Sequence, residues 1–131
     1  MENLYTASQV EYIFDNLESK NLTFCYDCGH DNFLTPGSKL LEKYGYLLTT
    51  THLHDNHGKA DEHMTLGMGS INQEELAKRL AKCNFEYLSA EVREPDPNQT
   101  LTEALEKNLK ALNKLDKLIE KYKQINQEAS K

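Results

Sequence analysis

Apolar residues recur at helical spacing in some stretches of the chain and in short β-rich runs in others, and the alternation between the two predicts the elements. Residues 8–20 carry Val10, Ile13, Phe14 and Leu17 on one side, behind a capping box of Ser8 and Glu11, so a helix with a buried stripe is expected. Residues 22–26 (LTFCY) predict a strand that ends at Asp27 and runs into a polar loop through Gly29. Pro36, Gly37 and Ser38 open a short helix with Leu40, Leu41 and Tyr44, stopped by Gly45. A second strand is expected over residues 47–53 (LLTTTHL), and residues 54–71 form a long polar stretch punctuated by Gly58, Gly67 and Gly69. A loop longer than about 12–15 residues suggests function rather than a plain connection. Asn72 and Glu75 cap a helix bearing Leu76, Ala77 and Leu80, and residues 87–92 (YLSAEV) predict a third strand. After Pro95 and Pro97, Thr100 and Glu103 start a long helix reaching about residue 127, followed by a frayed end over 127–131. Leu101, Leu105, Leu109, Leu112, Leu115, Leu118, Ile119 and Tyr122 share or border one face of it, as on an amphipathic surface helix.

Helices alternating with strands imply a parallel sheet covered by helices, an α/β domain spanning residues 1–131. At 131 residues the chain is too short for a two-domain enzyme. It has no apolar run of membrane-spanning length and a polar start, so a soluble, cytoplasmic protein with no membrane partner is expected. Three cysteines do not make a secreted disulfide framework. Cys25 and Cys28 straddle a strand end rather than opening a helix, which argues for packing residues over a redox pair.

The net charge of −6 is unevenly spread: residues 101–131 hold seven Lys against five acids, and residues 1–100 hold eight Lys or Arg against sixteen. So acidic a body disfavours a nucleic-acid backbone as partner. All five histidines, His30, His52, His54, His57 and His63, fall within 34 residues. In a parallel α/β fold, reactive groups gather at the carboxyl ends of the strands. Asp27 and His52 stand at two such ends, Glu91 close to a third, and Glu2 one strand-plus-helix unit before Asp27. Oxygen and nitrogen donors of this kind suit a divalent ion such as Mn, Mg, Co or Zn. His30 next to Asp27, together with Asp61 and His63 in the long loop, could hold a second ion or touch a substrate. His54 and Asp55 are further candidates for lining the site, with solvated loop residues as the alternative.

The ordered run YDCGH (26–30), HLHDNHGKADEHMTLGMGSIN (52–72) and SAEV (89–92) resembles the sugar phosphate isomerase/epimerase superfamily, xylose isomerase-like TIM barrels that also include endonuclease IV. The resemblance maps to the second half of that barrel. It implies a partial (β/α) barrel with about three parallel strands, flanking helices and the long C-terminal helix. It further implies that Glu2, Asp27, His52 and Glu91 coordinate one divalent ion, that Glu2 and Glu91 shuttle a proton next to a carbonyl of a sugar or sugar phosphate, and that His30 contacts a substrate oxygen. In endonuclease IV the positions matching His30, Asp61 and His63 hold a further zinc, which makes abasic-site cleavage an alternative; a non-catalytic metal-binding half-barrel is another. Met68 stands where many relatives have Glu, and Gly58 where some epimerases have Arg. A barrel needs roughly 250 residues. A homodimer or larger assembly that completes the half-barrel and buries its edges is therefore expected.

Overall fold

A computed structural model describes residues 6–93 and 98–130. The elements are α1 (Ala7–Asn16), β1 (Phe24–Asp27), α2 (Cys28–Phe33), α3 (Leu40–Tyr44), a 3-10 turn (Gly45–Leu47), β2 (Leu48–His52), α4 (Gln73–Leu80) and α5 (Leu101–Ala129). The strands are parallel, pairing Phe24 with Leu48, Cys25 with Thr50, Tyr26 with Thr51 and Asp27 with His52. One extra residue on β2, at Thr49, interrupts the register after the first pair. The third expected strand shrinks to a single parallel bridge between Leu53 and Ala90. Its ladder is cut short because a side chain takes part: the Ser89 amide donates to Thr51 Oγ1 at 3.0 Å, while Leu53 N–H reaches Ser89 O at 2.9 Å. That bridge is still enough to set Glu91 beside His52.

Side chains alternate across β1, as strand geometry demands. Phe24 and Tyr26 are buried, and Cys25 is exposed on the opposite face. Phe24 meets Phe14 edge-on at 5.7 Å, and Phe14 stacks on Tyr44 at 4.8 Å, joining α1, β1 and α3. Leu41, Leu53, Leu76, Ala77, Leu80, Leu115 and Ile119 complete the core. Arg79 of α4 ties the layers together: its guanidinium donates to Asp31 at 3.0 Å, to Tyr26 Oη at 2.9 Å and to Glu42 at 2.6 Å.

The structure corrects the following expectations. The first helix is capped by Thr6 and Gln9 rather than Ser8 and Glu11, and it stops at Asn16 instead of Lys20. It buries no residue: Val10 and Phe14 are half-buried, but Ile13 and Leu17 are exposed, with α1 resting on α3 and, through Phe14, on Phe24 of β1. The expected loop after Asp27 is helix α2, which Cys28 opens after all. Asp27 itself is the cap, its Oδ1 accepting from His30 N–H at 2.9 Å. On α5 the apolar stripe is only partly used, with Leu115 and Ile119 buried but Leu101, Leu105 and Leu109 exposed. The eight residues of α4 reach along only about 12 Å, whereas the 29 residues of α5 extend over about 43 Å. The helix runs to Ala129, through most of the segment expected to fray. Glu2, Pro95 and Pro97 lie outside the described residues. No helix among the described residues is long and apolar enough to cross a membrane.

Candidate metal centre

Because β1, β2 and the 89–91 segment run parallel in adjacent register, Asp27, His52 and Glu91 stand side by side at one rim. His52 Nδ1 lies 3.0 Å from Glu91 Oε2 and 3.8 Å from Asp27 Oδ2. Asp27 is the most enclosed of the three, with 15% of its side chain exposed, while His52 and Glu91 are half-exposed. The three ligand atoms fall within 4.8 Å of one another, and the half-exposed His52 and Glu91 leave the cluster accessible among the described residues. An open position beside three oxygen and nitrogen donors is what a catalytic, exchangeable ion requires. The cluster faces a cavity of about 620 Å³ along the edge of β1, apolar at Val10, Phe14 and Phe24 and ionisable at Asp27, His30, His52 and Glu91.

A second cluster lies directly behind. His30, His54, Asp61 and His63 each bring a ligand atom within 4.8 Å of the others. His63 Nδ1 sits 2.7 Å from the Glu91 carbonyl, so that nitrogen carries the proton and Nε2 is left facing Asp61, 3.0 Å away. His30 is set up in the same way, with Nδ1 2.8 Å from Asp27 Oδ2 and Nε2 3.4 Å from Asp61 Oδ1. Metal-binding imidazoles are oriented by such a bond from the other ring nitrogen to a carboxylate or carbonyl. The donor set therefore fits a divalent cation. His63 has φ = 51°, the left-handed region that non-glycine residues seldom occupy, and its carbonyl is held by Arg93 N–H at 3.0 Å. Such backbone strain is stored at functional sites.

His54 and Asp55 do not line open solvent: both are fully buried. Asp55 organises the 54–71 segment, Oδ1 accepting from the Asn56 and Ile71 amides at 2.9 and 3.1 Å and Oδ2 from Gly67 at 2.8 Å. Asn56 does the same on its other side, donating to Gly29 O and accepting from Gly58 N–H, each at 2.8 Å. The stretch expected to be a solvated loop is thus pinned to the core through buried Asp55 and Asn56, while residues 57–61 stay exposed. Asp55 and Asn56 are buried with their groups paired, the condition under which burial is tolerated.

His54 stacks flat on His63, with centroids 4.0 Å apart and planes at 8°. Its Nε2 is 3.0 Å from Asp27 Oδ1, but the carboxylate lies off the line a ring N–H needs, and neither ring nitrogen completes a hydrogen bond. Burial opposes a charge on His54, yet Asp27, Asp61 and Glu91 outweigh it and raise the imidazole above its ordinary value. Burial likewise works against the Asp27 carboxylate, but His54, the His30 amide and the His30 ring hold it below its ordinary value. The Cys28 thiol, which donates to the His54 carbonyl at 3.2 Å, is pushed up to about 12 by burial, so it is an inert packing group.

Alongside this geometry, the family model for the xylose isomerase-like TIM barrel matches residues 1–115. The chain belongs to that family. Among curated relatives it is 32% identical over 92 residues to the uncharacterized protein y4fM of Sinorhizobium fredii, covering 65% of this chain and 30% of that protein. It is also 32% identical over 84 residues to the uncharacterized protein MJ1311 of Methanocaldococcus jannaschii, covering 62% and 29%. A solved D-tagatose 3-epimerase-like protein shares the fold with a TM-score of 0.69 at 24% identity, over 88% of this chain and 42% of that one. The chain thus spans less than half the length of the relatives it matches. Within the xylose isomerase-like fold, the rim that carries Asp27, His52 and Glu91 is where strand carboxyl ends meet their loops, the functional face of such barrels. His54 is the site residue that sequence reasoning undervalued. Its one available signal is the His-x-His spacing with His52, and nothing in the polar run after it announces burial.

Proposed function

We propose that this chain is the ligand-bearing half of a divalent-metal-dependent isomerase or epimerase that moves a proton next to the carbonyl of a sugar or sugar phosphate. The observation that carries the reading is the convergence of Asp27, His52 and Glu91 at one open rim beside a cavity. In this proposal those three residues, with Glu2, hold one Mn, Mg, Co or Zn ion. When bound, such an ion polarises neighbouring oxygens and stabilises the negative charge that grows as a proton leaves carbon. Glu91, half-exposed and anchored through its backbone, its N–H donating to Leu53 O at 3.2 Å and its carbonyl accepting from His63 Nδ1 at 2.7 Å, exchanges that proton from one face. Glu2 serves the opposite face. His30, steered by Asp27, binds a substrate oxygen or joins Asp61 and His63 around a second ion. The solved D-tagatose 3-epimerase-like protein supports the epimerase side of the reading through its fold.

The reading takes the remainder of the barrel from a second copy, whose strands would extend the two-stranded parallel sheet from its edge. A mass measurement in solution is expected to give a dimer or larger assembly at micromolar concentration, and a strict monomer would remove that part. The His30, Asp61 and His63 cluster favours one other reading, cleavage of a phosphodiester at abasic sites, against which the net charge of −6 speaks. The deciding assay incubates the assembled protein with a panel of ketoses in heavy water and added Mn or Co. Deuterium entering the carbon next to the carbonyl, and lost in Glu91→Gln, is expected. No exchange with any ketose would leave only a non-catalytic metal-binding half-barrel, and cutting of an abasic duplex with zinc would favour the other reading.

A further inference from the structure

His54 touches both clusters and completes a hydrogen bond in neither. It is fully buried, its ring lies 3.0 Å from the Asp27 carboxylate of the first cluster, and it covers the face of His63 in the second. Proximity alone would count it as a fourth ligand beside His30, Asp61 and His63. The ring planes exclude His54 and His63 binding one ion together, and His63, whose Nε2 faces Asp61 at 3.0 Å, is the one aimed at that site. An imidazole nitrogen binds a cation in the plane of its ring, and planes 8° apart, stacked with centroids 4.0 Å apart, share no such point. His30 stands at 86° to His63, and the Nε2 atoms of both face Asp61, at 3.4 and 3.0 Å. The ring of His54 also has no room to swing aside, since Gly29 packs so tightly against it that a Cβ there would fall 1.9 Å from Cε1.

We infer that His54 is a positioning residue shared by two cation sites: its ring stacks on His63 and sets Nε2 3.0 Å from the Asp27 carboxylate, and this shared contact couples their affinities. This rests on the reading above that the first cluster holds a divalent ion, taken together with its option that His30, Asp61 and His63 hold a second. Losing an outer partner of a metal ligand typically weakens binding 10- to 100-fold. His54→Ala removes both contacts, and His54→Phe keeps a flat ring over His63 but offers nothing to Asp27.

The test is a cobalt(II) titration of the full chain, with sites told apart in His52→Ala and His63→Ala backgrounds and folding checked by circular dichroism. His54→Ala is expected to weaken both sites by about 10-fold or more, and His54→Phe the Asp27 site alone. If His54→Ala does not fold, His54→Phe carries the comparison. Proton spectra of the cobalt form give the second readout: contact-shifted imidazole N–H signals arise from ligands only, so none should vanish in His54→Phe. Loss of one would make His54 a ligand and overturn the inference, as would unchanged affinities at both sites. A wild-type chain that binds no cobalt would overturn the metal reading itself, and this inference with it.

Discussion

Replacing Gly29 by alanine isolates the packing on which the His54 position depends. Gly29 lies in α2 with a backbone that alanine adopts without strain, so helix propensity alone gives a gain of at most about 1 kcal/mol. The new Cβ, however, would lie 1.9 Å from His54 Cε1 and 2.3 Å from Nδ1. The ring is fully buried and backed by His63 at 4.0 Å, so it must be forced out of place or push the helix away. Overpacking of this kind costs about 1–3 kcal/mol, and a contact this short belongs at the upper end. The net expectation is a loss of about 2 kcal/mol, read as a lower urea midpoint with an unchanged slope. In a His54→Ala background the same substitution should become neutral or stabilising, a coupling that a double-mutant cycle measures directly. A wild-type background that tolerates Gly29→Ala without loss, or equal losses in both backgrounds, would refute the placement of His54.

Three further outcomes follow from the same structure. Asp55→Ala strands the amides of Asn56, Gly67 and Ile71, at about 1–3 kcal/mol for each that stays buried, and hydrogen exchange should show residues 54–71 opening first. On α5, Leu115→Ala should cost about 2–5 kcal/mol because its side chain is fully buried. Leu101→Ala, at a side chain 73% exposed, should stay within about 0.5 kcal/mol, so equal midpoints for the two would contradict the observed helix face. In chelator-treated protein, Asp27 and His54 should set opposite pH limits. The lowered Asp27 value contributes stability that is complete above its ordinary 3.8 and fades as pH falls through the folded value. The raised His54 value contributes stability that is complete below its ordinary 6.5 and fades as pH rises through the folded value. Asp27→Asn should therefore abolish the acid limb and weaken the alkaline one, and urea midpoints that keep both limbs in that variant would disprove the pairing.

The comparison of sequence with structure is instructive at particular residues. Asp27 and His52 were legible because each closes a β-rich run, and parallel pairing then brings strand ends together whatever the loops do. Helix α2 was not, because the stretch CGHDNF contains Gly, Asp and Asn, all poor helix formers. It folds because Asp27 caps it and Asn56 holds Gly29 O, a contact 27 residues away in sequence. The 87–92 segment has strand composition, yet only Ala90 bridges, since Thr51 competes for the Ser89 amide. The long helix was readable from its capping box and period, but the fate of each leucine was not. Which of them are buried depends on where α4 begins and ends.

The account rests most heavily on Asp27, His52 and Glu91 acting as ligands, and elemental analysis of the chain after gel filtration in Mn, Co or Zn tests that directly. The wild-type protein is expected to retain stoichiometric metal and His52→Ala to lose one equivalent while remaining folded. Metal content that is absent from the wild type, or identical in the two proteins, would contradict it.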